Sequence, residues 1–204
     1  MIRFLLMWFL MAGVAVASPA QDVSDTARAA FDRLPPLRIV DRIAGRCGAD
    51  DVPEGAAYCT TQNVIFLERA VAGAPQAPYL VAHLYGHAVQ VRHGVADFAL
   101  AQIRARRSEE DMLRGLVERQ VDCIAGFLIA RAGLAPMSLP DLFAGEPFTG
   151  SHWGRDPLRI GPQVSIGMTA SEEWFQIGQR GDLAACGPGE FTADLLLAAM
   201  KVRE

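Results

Sequence analysis

The chain has 204 residues, 51% of them hydrophobic, with a formal net charge of −4. That length supports one domain with a substantial core. Nucleic-acid binding is excluded as a leading role, because Lys201 is the only lysine and no basic block stands out; "IRARRSEED" passes from base to acid within two turns, as a solvated helix face does.

The first stretch, "MIRFLLMWFLMAGVAVASPA", places one arginine ahead of an apolar run from Phe4 to Val16, with small residues from Ala15 to Ala20. This is the layout of a secretory signal peptide. It predicts a signal over residues 1–20 and a single domain over 21–204; cleavage after Ala17 and after Ala20 both fit, and Ala20 is preferred. A retained anchor is the rival reading, but the run is shorter than the roughly 18–20 residues a spanning helix needs. No later segment reads as a membrane span. Removal of Arg3 with the leader takes the net charge to −5, and the expected location is periplasmic or secreted.

After the leader, "SDTARAAFDRL" predicts a helix capped by Ser24 and stopped by Pro35 and Pro36. Cys47 and Cys59 flank the turn-rich "GADDVPEGAAY". Together with Cys123 and Cys186 they make an even count in an exported chain, which points to two disulfides with three possible connectivities. The short loop favours Cys47–Cys59, leaving Cys123 to join Cys186. A staple of that loop length contributes on the order of 3 kcal/mol in the chain-entropy view. No C-x-x-C pair supports a cysteine metal site.

"NVIFLE", Asn63 to Glu68, is the best strand. Helices follow over Tyr79 to His93, over Ala96 to Arg107, and from Ser108 to Arg131, where "SEED" supplies a cap and acids for the first turn. Past Leu134 the chain is punctuated by Gly and Pro. Helical signals return at "TASEEWFQIGQR", with Thr169 or Ser171 as cap, and at "TADLLLAAMKV". The sum is a mostly helical α+β domain with little sheet.

The chemistry concentrates in two helices. "YLVAHLYGHAVQV" places His83 and His87 at i and i+4 on one helix face, about 6 Å apart along the axis, where one ion can sit between their imidazoles. "LVERQVDCIAGFL" repeats the spacing with Glu118 and Asp122. Two carboxylates on an apolar helix need partners. Glu118 can ligate an ion while Asp122 accepts a bond from the second nitrogen of a ligating histidine; pairing with Arg114 or Arg119 is the alternative. His93 and His152 have no partner at such spacing, which assigns them core or surface roles.

"AHLYGHAVQ" followed by "ERQVDCIAG" resembles the bacterial neutral zinc metallopeptidase family, whose members read AHE-x-GHH-VQ and then E-x-QADC-x-AG. The likeness extends upstream to "CG" and "YCTTQNVIFLE", and downstream to "IGMTASEEWFQIGQRGDLAACGP". It covers most of the span from Arg46 to Pro188. The resemblance implies a zincin-like fold, with Zn2+ held by His83, His87 and Glu118, Asp122 behind one histidine, and "NVIFLE" as an edge strand for an extended peptide. It implies the same cysteine pairing.

Three departures bear on activity. Leu84 stands where the family has the glutamate that relays protons from the zinc-bound water, Ala88 replaces a histidine, and Ile166 falls where the histidine of H-G-T aligns. Loss of a general acid–base group costs about 10²–10⁴ in rate, whereas the ligands do not need that glutamate. The leading expectation is therefore an exported, zinc-binding, metallopeptidase-like protein that is catalytically impaired, with a coordination position left for water or a partner's donor. One alternative is an active zinc peptidase with a relocated base, for which Glu68, Glu109 and Glu110 are the candidates and Tyr85 a possible oxyanion donor. The other is a metal-free module that binds a peptide or an envelope protein.

Overall fold

A computed structural model describes residues 18–150, 152–154 and 164–201. The apolar start over residues 1–17, on which most of the signal-peptide reading falls, lies outside the described residues.

Helix α1 (Pro19–Ala30) starts earlier than the sequence suggests. Ser18 caps it by accepting from the Gln21 N–H, Pro19 sits in its first turn, and Asp22 faces the positive end of the helix dipole. Ser24, the expected cap, is instead buried mid-helix. The boundary drawn at residues 20 and 21 thus falls inside α1.

The chain then lays down three short strands: β1 (Leu37–Val40), β2 (Ala56–Cys59) and β3 (Val64–Glu68). With β4 (Trp153–Gly154) they form a sheet of order β1-β3-β2-β4. β3 pairs parallel with β1 and antiparallel with β2, and β4 lies parallel on the outer side of β2. The strand expected at the edge is therefore interior: both sides of β3 are already paired, and no peptide can add to it.

Period-two alternation divides the sheet between two cores. Tyr58, Ile65 and Leu67 face the helices in the main core. Ala57, Cys59, Val64 and Phe66 face a smaller cluster with Ile43, Cys47 and Val52. The Cys47–Cys59 bridge closes that smaller cluster, and Cys123–Cys186 ties the long helix to the C-terminal region; both expected pairings form.

Three helices set the frame of the molecule: α2 (Ala77–Arg92), α4 (Glu110–Arg131) and α6 (Met168–Gln179). α2 is buried on all sides from Ala77 to Gln90, so it reads as a central helix with no solvated face. It ends where Gly94 takes a left-handed φ of 86° and α3 (Val95–Ala105) begins. α4 follows a single 3-10 turn at Arg107–Glu109 and has no side-chain cap. α6 is likewise uncapped by Thr169 or Ser171; Gly167 precedes it.

Two glycine contacts let these helices approach closely. A methyl at Gly86 on α2 would lie 2.9 Å from the backbone oxygen of Val121 on α4. At the α4–α6 crossing, side chains at Gly126 or Gly178 would overlap the facing backbone at Phe175 and Cys123. Two short helices complete the described chain, α5 (Leu139–Leu142) and α7 (Asp194–Ala199). The architecture is α+β and predominantly helical, and none of the described helices is long and apolar enough to cross a membrane.

Candidate metal centre

The Gly86 contact lies between His83 and His87 on one helix and against Val121, beside Asp122, on the other. It therefore draws the two i, i+4 pairs toward one point. His83 Nε2 lies 3.2 Å from Glu118 Oε1, and His87 Nε2 lies 3.8 Å from Glu118 Oε2. All three side chains are buried. The geometry expected of His83, His87 and Glu118 is met.

Asp122 also takes its expected place. The Nδ1–H of His83 donates to Asp122 Oδ1 at 3.0 Å, and the buried Tyr79 hydroxyl donates to the same oxygen at 2.9 Å. Phe148 stacks on the His83 ring with centroids 4.4 Å apart, which shields that side of the cluster.

A fourth side chain joins them, and here the sequence reading is corrected. His152, assigned a core or surface role, places its Nε2 3.1 Å from His83 Nε2 and 2.8 Å from His87 Nε2. Donor atoms of His83, His87, Glu118 and His152 all lie within 4.8 Å of one another. His152 arrives by backbone pairing across the sheet. The Tyr58 N–H donates to the His152 carbonyl at 2.9 Å, and Trp153 and Gly154 continue in register with Tyr58 and Cys59. Glu146, upstream of His152, accepts from the N–H groups of Ile166 and Gly167. Ile166, aligned with a family histidine, is thus a loop residue, and the third imidazole comes from upstream of it. His93 keeps its peripheral role, facing the Asp32 carbonyl and the Phe31 ring.

The outer bonds decide what the inner atoms offer. A carboxylate and a carbonyl only accept, so Asp122 fixes a proton on Nδ1 of His83, and the Gly150 carbonyl, 2.8 Å away, fixes one on Nδ1 of His152. Both Nε2 lone pairs then point inward, toward each other and toward the Glu118 carboxylate. Electron-rich atoms this close need a cation or a proton among them. Burial lowers the pKa of His83, but the bonds and charges of Asp122 and Glu118 outweigh it and raise it to about 9. Burial and the charge on His83 push His152 down to about 4. Burial and the charges of His152 and His83 hold His87 well below the usual histidine range. One proton, on His83, satisfies the cluster; one divalent ion would satisfy it with more charge. Three imidazoles and a carboxylate in a closed pocket are a donor set suited to zinc and its neighbours in the first transition row.

Groups considered for a relocated catalytic role are committed elsewhere. Leu84 is fully buried in the main core and has no proton to give or take. The Tyr85 hydroxyl donates to the Pro35 carbonyl at 2.9 Å and bonds the Ser24 hydroxyl, fastening α1 to α2; burial pushes its pKa up to about 12. Glu68 accepts from the Ile43 N–H, Glu109 pairs with Arg106, and Glu110 pairs with Arg107 and Arg114. In comparisons with known proteins, no family model, no curated protein and no solved structure matches this chain.

Proposed function

We propose that this protein is an exported, zincin-like zinc-binding protein that has kept the ligand cradle of a metallopeptidase and lost efficient peptide hydrolysis. The observation that carries the reading is the convergence of His83, His87 and Glu118 from two crossing helices, with Asp122 behind His83 and Leu84 at the position of the general base. When bound, zinc would supply charge to neutralise Glu118 and to accept the inward lone pairs. His83, His87 and Glu118 would hold it, and Asp122 and Tyr79 would orient His83. A leucine can neither take a proton from water nor deliver one to a leaving amine, and Glu68, Glu109 and Glu110, considered as substitutes, are engaged elsewhere. Two disulfides support an oxidising compartment, the periplasm or the exterior.

Protein purified without chelators, assayed for metal by mass spectrometry, is expected to hold about one zinc per chain and to lose it in a His83→Ala variant. Full zinc occupancy in that variant overturns the cradle. Zinc-dependent cleavage of an unstructured peptide library overturns the loss of hydrolysis.

A further inference from the structure

A hydrolytic zinc site needs an open coordination position, and three protein ligands would leave one. Here a fourth side chain of the chain itself lies among the three expected ligands. His152 Nε2 is as close to its neighbours as they are to one another, at 2.8 Å from His87 and 3.1 Å from His83. Its backbone is engaged at the same time. The His152 carbonyl accepts from the Tyr58 N–H, and the next two residues pair in parallel with Tyr58 and Cys59 along the outer side of β2. With β3 interior to the sheet, that side of β2 is the strand edge beside the metal cluster, the place an extended peptide would use for backbone pairing.

We infer that His152 is a fourth, closing metal ligand, and that His152–Gly154 fills the peptide-binding edge in cis, so that the site holds its ion in a closed shell and admits neither water nor substrate. This rests on the metal-binding reading above and reaches further: it makes the missing glutamate only one of two obstacles to turnover. Three features fix His152 in that role. Its Nδ1–H is held by the Gly150 carbonyl, which aims Nε2 inward. Phe148 packs against its ring, with centroids 4.3 Å apart. The residue is buried, with 3% of its surface exposed, so the imidazole has no solvent-facing alternative.

The test replaces zinc with cobalt(II) in the full protein, because cobalt's visible spectrum reports coordination number and ligand exchange. Wild-type protein is expected to bind one cobalt with an intense four-coordinate spectrum that millimolar imidazole or azide leaves unchanged. His152→Ala is expected to keep the 1:1 stoichiometry through the other three ligands, to respond to added imidazole, and to raise the zinc Kd by ~100-fold or more, at or above the loss from an outer-shell bond. A wild-type spectrum that shifts with azide or imidazole overturns the closed shell, and this measurement needs no variant to fold. A well-folded His152→Ala protein with the wild-type spectrum and zinc Kd overturns His152 as a ligand. Absence of cobalt and zinc binding in the wild type overturns the metal cradle itself, a different result from either.

Discussion

Removing metal from the protein should leave a stability curve whose shape follows from the three converging histidines. An unfolded histidine titrates near 6.5. In the fold, His83 titrates at about 9, because Asp122 and Glu118 outweigh burial, and His152 at about 4 through burial and the nearby charge on His83. His87 is also held low, by burial first and then by the charges of His152 and His83. Between pH 6.5 and 9 the folded state keeps one proton that the unfolded chain has released. Stability therefore falls as pH rises, by ~1.4 kcal/mol per unit and by about 3 kcal/mol in all. Below 6.5 the unfolded chain takes up two protons that His87 and His152 refuse, so stability falls as pH drops, at ~2.7 kcal/mol per unit. His93, held low by partial burial, adds a smaller increment to this acid limb.

Urea unfolding from pH 5 to 9 with EDTA, disulfides intact, should thus give a maximum near pH 6.5 with the acid side about twice as steep. Saturating zinc should abolish the alkaline decline, because the ion takes the place of the His83 proton, and should steepen the acid limb as protons expel it. An EDTA-treated protein whose stability holds or climbs from pH 6.5 to 9 would refute the placement of that proton between Asp122 and Glu118.

Gly86→Ala should destabilise the protein by about 1–3 kcal/mol and weaken zinc binding, since its methyl would meet Val121 Cγ1 and the Val121 backbone oxygen at 2.9 Å and force α2 away from α4; thermal melts and zinc competition titrations check both, and a stabilised variant with unchanged Kd contradicts the contact. Asp122→Asn retains an acceptor for His83 Nδ1–H but removes its charge, so zinc stoichiometry should stay at one while Kd rises by ~10–100-fold; an unchanged Kd in the same titration contradicts the role of Asp122. N-terminal sequencing of exported protein should find Ser18 first, because cleavage after Ala20 would remove the Ser18 cap, Pro19 and the buried Ala20 from α1; a chain starting at Gln21 and melting at the same temperature as one that starts at Ser18 counts against the cap's importance.

What the sequence made legible was local. Positions four apart on a helix share a face whatever the rest of the chain does, so His83 with His87 and Glu118 with Asp122 could be paired by spacing alone. Tyr85 was decidable on the same grounds: two residues from His83 on a helix lies on the opposite side, where its hydroxyl meets Ser24 and Pro35. His152 was not, because it is delivered by a two-residue strand in a Gly- and Pro-rich stretch, and a pair of residues has no period to read. Its only trace was being one of four histidines in the chain. β2 was missed because all four of its residues are buried, which erases the alternation that marks a half-exposed strand. β1, which follows Pro35 and Pro36, is only four residues long. Without those two strands, nothing could reveal that β3 lies inside the sheet.

In the proposed reading, Leu84 and His152 act on different requirements of a hydrolytic site. Leucine at position 84 stands, in that reading, where a proton-relaying group would be, and loss of such a group costs about 10²–10⁴ in rate. His152, as the inferred fourth ligand, would deny the reaction its water nucleophile even if a base were restored. The surrounding structure, by contrast, holds the four side chains together. Gly86 lets the two ligand helices touch, and Tyr79 and Asp122 orient His83. The Cys123–Cys186 bridge anchors α4 one residue past Asp122, and the Cys47–Cys59 bridge anchors the strand that seats His152. Burying a carboxylate among three imidazoles is costly unless a cation repays the lost hydration. A fold that braces such a cluster from four directions fits the proposed role of retaining an ion. Leu84→Glu on its own should therefore yield no peptidase, whereas pairing it with His152→Ala supplies both missing requirements and is the combination in which peptide cleavage would first appear.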